Sequence, residues 1–242
     1  MRLQVAVTTV ASELPWAGVL APGRGVVYDL LARCAPELDR RLHEEGMGPH
    51  GMAPFGYGAP VFPSARRRRG RYAAGGGGVV EFGSPVPEVV EALAAGFTSR
   101  ELLDWGGVAF RLTGVSAVEQ PAFSSGRVRW RTATPVVMKG SGRDESGALG
   151  PRQAWVLPAE PEWPVYMQGN LRRKAETLGL DPGVELEAVS WIGPKRSFAV
   201  GSGMKPGAEV EVELSGPPET LRALWSWGLG QANSAGFGWV RA

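Results

Sequence analysis

The chain has 242 residues, 43% of them hydrophobic, and a formal net charge of +2. That apolar content excludes a disordered chain, and the near-neutral balance means that any nucleic-acid site must come from local clustering of cations. Two histidines and one cysteine exclude an intramolecular disulfide and a zinc site built from those residues alone.

Leu3, Val5 and Val7 alternate with polar or small residues and predict a half-buried strand. No apolar run reaches ~18 residues and the N-terminus lacks a signal-peptide core, so no membrane span is expected and the reading is a cytoplasmic protein. After a Pro/Gly loop, Val27, Leu30, Leu31 and Cys34 recur at helical spacing, which predicts Cys34 in the core. Pro36 interrupts this stripe, and Leu38 and Leu42 resume it until Gly46. Proline suits the first turn of a helix and not its interior, so two helical pieces hinged near Ala35 and Pro36 are predicted. Residues 51–63 offer Phe55, Tyr57, Val61 and Phe62 for a strand, residues 66–71 form a basic tip, and 72–82 read as a weak strand diluted by Gly75 to Gly78. Ser84 as N-cap and Pro85 at the first position open a helix with Val86, Val89, Val90, Leu93 and Phe97 on one face. Val108, Phe110 and Leu112 mark another strand. The order is that of a βαββαβ unit.

The second half reads the same way. Val128 and Trp130 alternate with Arg127, Arg129 and Arg131, a strand running on toward Val137. Residues 138–163 are polar and Gly/Pro-rich and read as a mobile loop. A helix over 166–180 carries Met167, Leu171, Ala175 and Leu178. Residues 185–192 and 196–214 form a hairpin-like pair, and 219–227 the last helix. Residues 237–240 read as a final strand. The predicted fold is α+β, two tandem ferredoxin-like (βαββαβ) domains over 1–119 and 120–242, inferred from element order with no internal sequence repeat.

Between the last helix and that strand lies a run with four glycines in two Gly-x-Gly pairs, Gly228-Leu229-Gly230 and Gly236-Phe237-Gly238, around Gln231, Asn233 and Ser234. Glycine permits φ > 0 and close backbone approach. Such a loop suits an RNA backbone, offering N–H groups to phosphates; a turn needed only for chain reversal is the other reading.

This run resembles the C-terminal signature of the CRISPR repeat-RNA endoribonucleases, the Cas-six family of the RAMP proteins. Other segments are similar to the family in the same order: Tyr28-Asp29-Leu30-Leu31, Leu42-His43-Glu44-Glu45-Gly46, Ser84-Pro85-Val86, Asn170-Leu171-Arg172-Arg173-Lys174 and Pro194-Lys195-Arg196. The resemblance covers nearly the whole chain. It implies the double ferredoxin-like fold and cleavage of CRISPR repeat RNA in a precursor transcript. The cut needs no metal or cofactor: the 2′-OH attacks the adjacent phosphate, leaving a 2′,3′-cyclic phosphate and a 5′-OH. It also implies repeat RNA, CRISPR effector-complex subunits and a second copy of the chain as partners.

His43 and Tyr28 stand at the family's catalytic positions. They are 43 − 28 = 15 residues apart, about 22 Å on a straight helix, so the reading requires a bend at Pro36. His43 lies near a helix C-terminus, whose dipole favours the protonated form and the role of acid. Tyr28 would orient the 2′-OH or donate to a phosphate oxygen. Taken alone, Tyr28 is equally an amphipathic-helix residue with a wet hydroxyl, and His43 a solvated residue at a helix end. The lysine that the family often carries after the histidine is missing from 46–55, where His50 is a substitute donor or a plain loop residue. RNA contacts are expected from Gly228, Gly230, Gln231, Asn233, Ser234 and Gly236, and from Lys195 and Arg196. Arg129 and Arg131 are further candidates on a face that is equally a solvated sheet edge. The competing readings are a catalytically weak or inactive repeat-RNA-binding subunit of an effector complex and a ferredoxin-like module unconnected with RNA.

Overall fold

A computed structural model describes residues 1–66, 69–143 and 149–241 of the chain. The N-terminal half runs β1 (Arg2–Thr9), β2 (Glu13–Leu14), α1 (Ala21–Cys34), α2 (Pro36–Glu44), β3 (Gly56–Tyr57), β4 (Tyr72–Ala73), β5 (Gly76–Gly83), α3 (Pro87–Thr98), β6 (Leu102–Asp104) and β7 (Ala109–Ala117). β1 is the central strand, antiparallel to β5 on one side and β7 on the other, in a sheet ordered β3-β5-β1-β7-β6. This is the ferredoxin-like strand order with β6 added at one edge. Leu3, Val5 and Val7 point into the core with Val80 and Phe82. α1 and α3 pack together, and Gly96 makes room: a Cβ there would lie 2.6 Å from a Leu30 methyl.

The C-terminal half runs β8 (Arg127–Arg131), β9 (Met138–Arg143), β10 (Leu149–Val156), α4 (Trp163–Thr177), β11 (Glu185–Ile192), β12 (Arg196–Val200), β13 (Gly203–Gly207), β14 (Val210–Ser215) and α5 (Pro218–Trp227). Its sheet is ordered β11-β14-β8, and the fourth ferredoxin-like position is reduced to one bridge between Thr132 and Val240. Two hairpins, β9–β10 and β12–β13, are inserted. The fold is thus two ferredoxin-like units in tandem.

The halves interlock. Val137, Phe198, Ala235 and Phe237 enter the N-terminal core. Arg2 is buried between the Trp225 and Trp239 rings, 4.1 and 3.9 Å from their centres, and donates to the carbonyls of Trp225 (2.9 Å) and Val240 (2.7 Å). The guanidinium thereby satisfies backbone oxygens at both ends of the glycine loop.

Several expectations are corrected. Cys34 is exposed, because it is the last residue of α1 and the chain turns away beyond it. α3 starts at Pro87, since the Ser84 hydroxyl donates to the Pro54 carbonyl (2.5 Å) and accepts from Val86 N (3.0 Å), forming a turn ahead of the helix. Residues 138–163 are no plain loop: β9 and β10 pair there, anchored by buried Met138 and Val156, while 144–148 lie outside the described residues. β11 pairs with β14, and β12–β13 is a separate hairpin. Residues 237–240 form a turn and the single Val240 bridge, not a strand. Of the basic tip, Arg67 and Arg68 lie outside the described residues.

Candidate active site

The helical stripe breaks at one residue. Ala35 takes φ −152° and ψ 66°, its N–H still bonds Leu31 O (2.7 Å), and its own carbonyl accepts from Asp39 N (3.0 Å). It closes α1 and opens α2, with Pro36 at the first position of the new helix. α2 folds back on α1, held by buried Leu42. The Tyr28 and His43 rings meet edge to face with centroids 4.9 Å apart, and Phe55 closes on Tyr28 at 5.4 Å. Tyr28 is half-buried and His43 is exposed. Burial pushes the Tyr28 phenol above its ordinary pKa, Arg24 pulls it down, and Asp39 raises it further. The hydroxyl therefore stays protonated at neutral pH.

Arg24 lies one turn before Tyr28 on α1, its guanidinium carbon 5.2 Å from the Tyr28 ring centre and Nη1 3.5 Å from the Ser234 hydroxyl. The Lys205 ammonium is pushed below its usual pKa by burial first and then by repulsion from Lys139 and Arg24, which places all three cations in one field. Lys139 and Lys205 lie 5.3 and 5.2 Å from the Trp155 ring centre. Sequence reasoning missed this cluster. Arg24 carried one legible signal, its four-residue spacing from Tyr28. Lys139 and Lys205 carried none, since β9 and β13 bring them together only in the fold.

The glycine loop is closely packed against the protein's own backbone. Gly228, Gly230, Gly236 and Gly238 take φ of +104°, +69°, +84° and +65°. A Cβ on Gly238 would lie 1.8 Å from Leu229 O, and one on Gly230 2.5 Å from a Val136 methyl. The N–H groups of Leu229, Gln231, Gly236 and Gly238 bond Gly238, Val137, Asn233 and Pro135 carbonyls. Asn233 is buried, donating to Leu229 O (3.0 Å) and Phe237 O (2.9 Å) while accepting from Lys174 Nζ (2.5 Å). The glycines and Asn233 thus form an internal joint, in which those four N–H groups bond carbonyls of the protein itself. Gln231 and Ser234 are the half-exposed members: Gln231 accepts from Lys139 N (3.0 Å), and Ser234 faces Arg24.

His50 donates through Nε2 to Glu176 of α4 (2.6 Å), which ties the segment after α2 to the C-terminal half. Lys195 is exposed, and Arg196 lies over Trp16 at 5.0 Å. Arg129 pairs with Glu211 (2.8 Å) and Glu213 (3.8 Å), and Arg131 covers Trp191 at 3.8 Å, so both serve the face of the three-stranded sheet. Among the described residues no group of three or more His, Cys, Asp or Glu side chains is placed to hold a metal, and no helix is long and apolar enough to cross a membrane.

Fold and site define a class: tandem ferredoxin-like proteins with a Tyr–His pair beside a basic surface, an arrangement suited to proton transfer at a phosphate. Residues 118–242 match the family described as CRISPR associated protein Cas6, C-terminal, and the chain belongs to that family. Among solved structures it is similar to a RAMP protein described as binding different RNA substrates (TM-score 0.80, 15% identity, covering 100% of this chain and 98% of that one). It is also similar to a Cas6-related protein from Pyrococcus furiosus (0.78, 13%, 100% and 97%) and to a Cas6 product complex (0.66, 18%, 99% and 99%). At these identities the likeness is one of fold. No curated protein sequence matches the chain significantly.

Proposed function

We propose that the chain is an endoribonuclease that cuts CRISPR repeat RNA within a precursor transcript, without a metal ion, by attack of a 2′-OH on the adjacent phosphate. The observation that carries this reading is the Tyr28–His43 contact created by the break at Ala35. Family membership and the similar RAMP protein described as binding different RNA substrates support the substrate class.

The reaction forms the O2′–P bond and breaks the P–O5′ bond. It needs an acceptor for the 2′-OH proton, a donor for the leaving oxygen and cations for the charge on phosphorus. Tyr28, held protonated by burial, is the donor. His43 then takes the 2′-OH proton, because two donors facing one phosphate would leave that proton without a destination. The acid role first expected of His43 thus passes to Tyr28. Arg24 supplies charge where the family often has a lysine, and Lys139 and Lys205 extend the track for the backbone. Association with effector-complex subunits or a second copy, and a cytoplasmic location, belong to the same proposal.

The test is the chemistry of the cut end. Repeat transcript incubated with the protein should give an upstream fragment ending in a 2′,3′-cyclic phosphate, and a single 2′-deoxy nucleotide at the cut should block cleavage. A 3′-OH end, or normal cutting of the deoxy substrate, would overturn this mechanism.

A further inference from the structure

α2 carries His43 but buries only one side chain, Leu42. So little apolar burial leaves the placement of this nine-residue helix to its two ends. The break at Ala35 sets one of them. The other runs directly into residues 46–52.

That segment is closed on itself and seated on the other half. The Arg41 carbonyl accepts from Glu45 N (3.0 Å) and Gly46 N (2.9 Å), which caps α2. Met47 and Met52 then exchange backbone bonds (2.7 and 3.1 Å) and shut the loop. Gly48, at φ +63°, lies against the end of α4, where a Cβ would stand 2.4 Å from Thr177 O. His50 donates to Glu176, the residue before Thr177. α4 is a firm support: Trp163, Met167, Leu171 and Ala175 are buried, and Lys174 bonds the Gly228 carbonyl of the glycine loop (2.6 Å).

We propose that residues 46–52 are a strap that docks α2 on the C-terminal half, and that His50 and Glu176 are positioning residues that hold His43 against Tyr28. The His50 and Glu176 side chains are 29% and 45% exposed, and an exposed pair adds little to global stability. Its work is placement, and a displacement of ~1 Å at a reacting group costs up to ~10²-fold in rate. The catalytic consequence rests on the endoribonuclease reading above; the placement of His43 does not.

The test uses the full chain and has two readouts. The first is the imidazole Cε1–H signal of His43 at pH about 8, where an ordinary histidine is neutral. The chain has two histidines, so His50→Gln leaves one and assigns its signal. The Tyr28 ring, 4.9 Å away, shifts that signal from its free value. Glu176→Ala should move it toward the free value. So should Gly48→Ala, which lifts the loop without altering either partner. His50→Gln should leave it in place, because its amide nitrogen has about the reach of Nε2 and also donates. The second readout is single-turnover cleavage of the repeat transcript. Glu176→Ala and Gly48→Ala should each be about 10- to 100-fold slower with RNA affinity unchanged, and His50→Gln should stay near wild type. His50→Ala combined with Glu176→Ala should lose no more than either alone.

A His43 signal and a cleavage rate both indifferent to Glu176→Ala would overturn the strap. A slow His50→Gln beside a fully active Glu176→Ala would make His50 a proton donor in the reaction and overturn it as well. A His43 signal that moves as stated, in a protein that never cuts repeat RNA, would sustain the strap and sink the endoribonuclease reading.

Discussion

The Tyr28 and His43 rings stand edge to face, centroids 4.9 Å apart, across a helix break that confines itself to Ala35. A continuous helix would hold them about 22 Å apart. The backbone of one residue thus decides whether these two side chains share a phosphate.

Tyr28→Phe keeps both ring contacts and removes only the hydroxyl. Single-turnover cleavage should fall by about 10²-fold, with RNA affinity and Tm unchanged. The phenol is raised by burial, so the donor form persists to higher pH than in an ordinary tyrosine, and the wild-type rate should show no tyrosine limb below pH ~10. Equal rates for the variant and the wild type would remove Tyr28 from the chemistry.

Arg24→Ala should cost about 10²–10³ in cleavage rate, the scale of losing one group that stabilises charge in the transition state. Arg24→Lys should recover part of it. An unchanged rate would mean that the guanidinium serves only to hold Ser234.

Lys139→Ala and Lys205→Ala should each weaken binding across sequences and flatten the slope of log affinity against log salt by about 0.7, the single-strand value per phosphate contact. Arg129→Ala is the contrast, because Glu211 and Glu213 already engage that guanidinium. A salt slope that responds to Arg129 and not to the lysines would move the RNA to the three-stranded sheet.

Much of this was legible in the sequence, for physical reasons. β1 and α3 bury one face each, so their periodicity shows directly in Leu3, Val5, Val7 and in Val89, Val90, Leu93, Phe97. The hinge was legible because proline cannot continue a helix. The packing of the glycine loop was not. A missing Cβ serves an approaching phosphate and an approaching carbonyl equally well, and here the neighbours are Leu229 O and Val136. The β9–β10 hairpin was hidden because its buried anchors, Met138 and Val156, flank a polar stretch. Arg24, Lys139 and Lys205 come from α1, β9 and β13 and converge only through tertiary packing.

Lys174 supports that loop from within. Lys174→Met leaves Gly228 O and Asn233 Oδ1 unpaired and should destabilise the fold by about 2–4 kcal/mol, read from denaturant unfolding. Burial pushes the native amine well below its usual 10.5, so the unfolded chain holds a proton that the native one lacks. Wild-type stability should therefore rise with pH from that depressed value up to about 10.5, and the methionine variant should lose this contribution. Identical pH profiles would show that the native amine keeps its proton.

The central claim is that His43 carries a metal-free proton transfer. The direct measurement is cleavage of the repeat transcript in excess EDTA, wild type beside His43→Ala. The account predicts undiminished cutting by the wild type, loss of at least about 10²-fold in the variant, and equal RNA affinity for both. Cleavage abolished by EDTA, or retained in His43→Ala, would contradict it. Tight binding without cutting by either protein would make the chain an RNA holder instead.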